Sequence, residues 1–106
     1  MIVVHKNEGA KINYNLTGNV LSFGELTLDL EGYERDFPVH LDICMSKFGF
    51  LTMGLSEKYV AQVNIPERQY TMVPDGVDEE GNPVETPVAN PFDISHVTLT
   101  LWRLEE

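Results

Sequence analysis

Apolar and polar residues alternate through most of this chain, and a period of two is what a half-buried β-strand demands. "INYNLTGNVLSF" (12–23) is the clearest stretch. With Gly18-Asn19 as a two-residue hairpin turn, Thr17 faces Val20, Leu16 faces Leu21 and Tyr14 faces Phe23. Ile12, Tyr14, Leu16, Leu21 and Phe23 then share one face, while Asn13, Asn15, Thr17 and Ser22 share the other. A slip of one residue would scramble this sorting, so turn and pattern specify one register.

The same reading extends along the chain. "ELTLDL" (25–30) alternates, and "EGYERDFP" (31–38) breaks the period as a connection. "PVHLDICM" (38–45) directs Val39, Leu41, Ile43 and Met45 to one side. A three-residue loop at Lys47-Phe48-Gly49 then sets Met45 against Leu51, Ile43 against Met53 and Leu41 against Leu55. "SEKYVAQVNIP" (56–66) fits a strand or a helix capped by Ser56, and its strand neighbours favour the strand. "RQYTMV" (68–73) and "SHVTLTLWRL" (95–104) are further strands, and "MIVV" is a short edge strand. The expectation is one all-β domain over 1–106, an antiparallel β-sandwich or small barrel of about seven to eight short strands.

One segment does not fit a compact sandwich. "PDGVDEEGNPVETPVANP" (74–91) holds four of the six prolines, five of the seventeen acids, and no lysine, arginine or aromatic residue. Asp78, Glu80 and Asn82 alternate, but Gly81 falls between the second and third, so the calcium-loop pattern fails. The composition suits either disorder or a projecting hairpin, with polar turn residues between Val77 and Val84. In the hairpin, "RQYTMV" rises into the ribbon and "VETPV" returns. Pro74, Pro83 and Pro87 are each expected to remove a ladder donor and weaken it. An isolated ribbon is marginal in water and gains order against a partner.

Charge narrows the partners. The chain carries seven lysines and arginines against seventeen acids, a formal net charge of −10. That balance opposes phosphate backbones and anionic lipid, so neither nucleic acid nor membrane is expected as a partner. The single cysteine, Cys44, cannot close an internal disulfide. The first residues lack the pattern of a signal peptide, and the cytoplasm is the expected compartment.

His40, Asp42 and Cys44 recur at a spacing of two, so they share one face of a strand, ~6–7 Å apart per step. All three residue types ligate metals, with His96 or His5 as a further ligand. A polar triplet opposite an apolar one is also what any amphipathic strand shows. In "DISH" (93–96), Ser95 and His96 would point to opposite faces of a strand and cannot build a triad with Asp93. No phosphate-binding loop, dinucleotide fingerprint or nucleophile elbow is present. The expected function is therefore binding, with no cofactor and no catalysis. The module self-associates as a homo-oligomer, or docks to a larger protein assembly, through the 74–91 arm and a sheet edge. Val77, Val84, Trp102 and Phe48 are its candidate contacts. The alternative is a cupin-like fold or other barrel that binds a metal or small molecule at the His40, Asp42 and Cys44 face.

Overall fold

The computed structural model describes residues 1–54 and 56–104. Among these, the expected β architecture is present as an open sandwich with an appended ribbon, and no barrel closes. The strands are β1 (Ile2–His5), β2 (Asn15–Thr17), β3 (Val20–Phe23), β4 (Leu26–Asp29), β5 (Val39–Met45), β6 (Leu51–Met53), β7 (Lys58–Ile65), β8 (Tyr70–Val77), β9 (Pro83–Ala89) and β10 (Thr98–Leu101). One helical turn, α1 (Leu30–Tyr33), follows β4. A five-stranded sheet runs β1-β10-β7-β5-β6, a three-stranded sheet runs β2-β3-β4, and β8 pairs only with β9.

The hairpin registers follow the hydrophobic pattern. Leu16 opposes Leu21 and Thr17 opposes Val20, while Leu21 opposes Leu28 on the next strand. β2 begins at Asn15, so the expected pairing of Tyr14 with Phe23 does not form. Ile43 opposes Met53 and Met45 opposes Leu51, as the alternation requires. The expected partner of Leu41, Leu55, lies outside the described residues. The ambiguous 56–66 stretch is a strand, because β7 pairs with β5 on one side and β10 on the other. Those two ladders satisfy its backbone, which a helix there would have to do alone.

The core lies between the two sheets. Leu21, Phe23 and Leu28 come from the smaller sheet, and Leu30 from α1. Ile43, Ala61, Val63, Ile65, Leu99 and Leu101 come from the larger one. Their register rows agree: Val63 stands between Leu41 and Leu99, and Ala61 between Ile43 and Leu101. The pairing of β5 with β7 slips by one residue, so that Ile43 opposes Ala61 while Cys44 opposes Tyr59. Val60 is the extra residue, and a bulge of this kind lets Val60 and Ala61, neighbours in sequence, both be fully buried.

Two further expectations need correction. The strand read over 95–104 starts late, at Thr98. Asp93 accepts hydrogen bonds from the Ser95 backbone at 3.0 Å and the Ser95 hydroxyl at 2.6 Å. That local capping holds Ile94–His96 in a 3₁₀ turn and removes Ser95 and His96 from the strand. Trp102 likewise falls just beyond the end of β10.

The second correction concerns the ribbon prolines, which weaken the ladder less than their number suggests. The Asn90 N–H donates to the Gln69 carbonyl at 2.8 Å, and the Asp78 N–H donates to the Asn82 carbonyl at 2.9 Å. Hydrogen-bonded and non-bonded pairs alternate in an antiparallel ladder, so these two bonds set its phase from both ends. The pairs Met72–Pro87, Pro74–Glu85 and Val77–Pro83 then all fall at non-bonded positions. Pro74, Pro83 and Pro87 therefore lack only donors that would have pointed away from the ladder. Asp75 and Gly76 form a bulge between the last two of these pairs.

Candidate functional site

The ribbon carries the most unusual surface of the molecule. Every residue of β8 is exposed, and in β9 only Val84 is half-buried. At ~3.4 Å per residue, eight residues extend ~27 Å. The chain measures 66 × 22 × 20 Å, and its radius of gyration is 18.8 Å. A compact chain of similar length has a radius near ~13 Å, so the ribbon projects from the sandwich.

The tip is built by local rules. Asp78 Oδ1 accepts from the backbone N–H groups of Glu80 and Asn82, each at 2.9 Å. The Gly81 N–H closes the turn onto the Asp78 carbonyl at 3.0 Å. The β5–β6 tip repeats this design: Ser46 Oγ accepts from Phe48 and Phe50, and the Gly49 N–H reaches the Ser46 carbonyl. Gly49 and Gly81 have φ of +85° and +81°, the left-handed position such a three-residue loop requires. "SKFGF" and "DEEGN" are thus one turn type written twice, with an oxygen-bearing side chain first and glycine fourth. The Asp78 carboxylate is occupied in shaping the tip.

Each face of the ribbon mixes apolar and polar groups. Tyr70, Met72, Pro74, Glu85, Pro87 and Ala89 share one face by register; Thr71, Val73, Thr86 and Val88 share the other. Met72, Val77 and Val88 are 51%, 67% and 49% exposed, too open to belong to any core within this chain. Asp75 and Glu85 lie among them on the strands, and Asp78, Glu79 and Glu80 crowd the tip.

The foot of the ribbon is fastened to the loop after α1. Arg68 donates to Glu34 Oε1 at 3.3 Å and to the Glu34 carbonyl at 3.1 Å, and lies 3.5 Å from Asp36. The Tyr70 hydroxyl donates to Asp36. The Tyr70 hydroxyl first, and the Glu34 carboxylate second, raise the pKa of Arg68. Beside this clamp opens a groove of about 350 Å³, lined among others by Glu34, Glu67, Gln69, Asn90, Phe92 and Asp93. Gln69 and Asn90 also form the ribbon's lowest backbone pair, so the groove is continuous with the ribbon.

Asp93 is held below the usual carboxylate range, first by the Ser95 hydroxyl, then by the Ser95 N–H, with the nearby His96 adding to the effect. Its ionised form is the one the fold favours. The resulting stabilisation is present above the ordinary carboxylate pKa, ~3.9, and is lost as pH falls through the lowered folded value. Asp93→Asn is expected to melt below the wild type at neutral pH, with the gap narrowing as pH drops below ~4. Thermal melts across that range test this, and a gap independent of pH would refute it.

The candidate contacts fall in three places. Val77 follows the bulge near the ribbon tip, and Val84 lies opposite that bulge on β9. Phe48 is 74% exposed at the β5–β6 tip, beside the equally open Phe50. Trp102 is half-buried and stacks on Tyr59, with ring centroids 5.3 Å apart. The Trp102 N–H donates to the carbonyl of the bulged Val60, so the bulge positions this aromatic pair. Partial burial, then the Asp42 and Cys44 charges, raise the Tyr59 pKa.

His40, Asp42 and Cys44 do share a face, and it is the one turned away from the core. His40 is exposed, and its Nδ1 hydrogen-bonds Asn64 Oδ1. Gln62 Nε2 donates to Asp42 Oδ1 at 2.9 Å, and Asn64 Nδ2 donates to Gln62 Oε1 at 3.4 Å. Cys44 is fully buried between Tyr59 and Thr52 of the adjoining strands. Cross-strand amide partners thus take up the polar groups, and no group of three or more histidine, cysteine or acidic side chains converges on a metal position among the described residues. No helix among the described residues is long and apolar enough to cross a membrane. Comparison of the chain with protein-family models, with curated proteins and with solved structures finds no match.

Proposed function

We propose that this protein is a non-catalytic binding and assembly module whose working part is the β8–β9 ribbon. One observation carries the reading: a two-stranded ribbon with no buried residue projects from a sandwich that has its own core. An isolated ribbon of this kind is marginal in water, and side chains such as Met72, Val77 and Val88 gain nothing from solvent exposure. Contact with another protein chain, a second copy or a different molecule, would bury both faces. The free edges of the larger sheet, β1 and β6, offer secondary contact, with Phe48 and Phe50 beside β6.

The test compares the full chain with a version in which 75–90 is replaced by a short Gly-Ser linker. Light scattering on a sizing column reads self-association: an oligomer lost on shortening makes the ribbon the contact between copies. Photo-crosslinking amino acids at Val77 and Val88 in the full chain, used in living cells, read contact with other proteins. Equal masses for the two versions, together with no protein adduct at either position, would sink the reading.

A further inference from the structure

The ribbon's chemistry selects among its possible partners. This inference rests on the reading of the ribbon as a protein-binding arm. We propose that its occupant is a basic protein segment, an extended stretch that interleaves lysine or arginine with apolar residues. Such a segment would lie across a ribbon face and place one cationic side chain in the groove at the foot.

Three observations support this. The first is charge. From Gln69 to Trp102 there is no lysine or arginine, while Asp75 and Glu85 lie on the ribbon strands and Asp78, Glu79 and Glu80 at their shared tip. All seven basic residues lie in the rest of the chain, where eleven acids outnumber them. A second copy would therefore bring an acidic ribbon against an acidic surface, and like charge opposes that encounter. A basic partner turns the same charges into attraction.

The second observation is the placement of the prolines. Pro74, Pro83 and Pro87 occupy positions whose N–H would point outward from the ribbon. An added strand needs those donors, so both edges are blunted against strand addition. The faces, with Met72, Val73 and Val88 exposed, are left for contact.

The third is the groove. Phe92, half-buried, supplies an apolar wall, and Glu67 and Asp93 supply carboxylates beside it. A lysine or arginine suits such a place, because its stem packs on apolar surface while its head meets the acids. The opening of about 350 Å³ admits one such side chain.

The experiment titrates three synthetic dodecapeptides into isotope-labelled full-length chain and follows amide shifts by NMR. One peptide alternates Arg or Lys with Val or Leu, one replaces the cations with Gln, and one replaces them with Glu. The basic peptide is expected to shift residues 69–93 and to bind at least ~10-fold more weakly when salt is raised from 50 to 500 mM. The Gln peptide is expected to bind at least ~10-fold more weakly, and the Glu peptide not at all. Neutralising the ribbon (Glu79→Gln, Glu80→Gln, Glu85→Gln) is expected to weaken the basic peptide by ~10-fold or more, whereas neutralising exposed body acids (Glu8→Gln, Glu25→Gln, Glu57→Gln) changes it less than ~2-fold. Circular dichroism confirms that both variants fold. Equal losses from the two sets, shifts outside 69–93, or equal binding of the Gln peptide would overturn the proposal. If the peptides fail while the ribbon still forms crosslinks or dimers, the assembly reading stands and only the choice of partner falls.

Discussion

Leu99→Ala is expected to destabilise the chain by about 2–5 kcal/mol, whereas Met72→Ala changes it by less than ~0.5 kcal/mol. The two are both large apolar residues on β-strands, and the difference lies in what surrounds them. Leu99 is fully buried on β10, opposite Val63 of the central β7 and in one cluster with residues of the second sheet. Truncating it removes buried hydrocarbon and leaves a cavity that both sheets would have to close. Met72 stands on the free ribbon, 51% exposed, and its removal leaves nothing empty. In a domain of this size each kcal/mol moves the melting temperature by ~4–8 °C, so Leu99→Ala should melt ~10 °C or more below the wild type. Urea unfolding of both variants checks this. Similar losses for the two would mean that the ribbon shares the core's cooperativity.

Hydrogen exchange should divide the molecule even more sharply. Amides of β7 are laddered on both sides and sit over the core, so they open only with global unfolding. Ribbon amides need only the local opening of a two-stranded pair. With global stability of ~5 kcal/mol or more, β7 amides should be protected at least ~3 orders of magnitude beyond those of β8 and β9. The ribbon should also show a residue-by-residue alternation. Thr71, Val73, Thr86 and Val88 lie at hydrogen-bonded positions and gain modest protection, while Tyr70, Met72, Glu85 and Ala89 point outward and exchange freely. Protection of the outward set in the purified chain would show that something already covers the ribbon edges.

That alternation also marks how far a candidate site can be read from a sequence. The ribbon itself was legible: polar residues between Val77 and Val84, with alternating flanks, made a projecting hairpin one of two available readings. The harmlessness of its prolines was not. Whether a proline removes a ladder bond depends on the phase of the pairing, and that phase is set by the Gln69–Asn90 foot and the Asp78–Asn82 tip together. The groove was likewise invisible, because it joins Glu34 to Asp93 across a long stretch of chain. The clamp of Arg68 on Glu34 and Asp36, which holds the ribbon at its base, had no local signature either.

Local chemistry was sufficient wherever a turn and an alternation acted together. Gly18-Asn19 and Gly49 each specified a register, and both registers are found. A strand's side chains can face a core in only one of two ways, so a short stretch suffices to decide between them. Tertiary structure alone decided the order β1-β10-β7-β5-β6, the parallel pairing of the first strand with the last, and the bulge at Val60 that brings Tyr59 under Trp102. These depend on which distant strands share one hydrophobic layer, and every amphipathic strand offers the same face to every other. The two polar faces show the same division. His40, Asp42 and Cys44 share a face because of their spacing, but that face is turned outward because Ile43, Val63 and Leu99 are needed within.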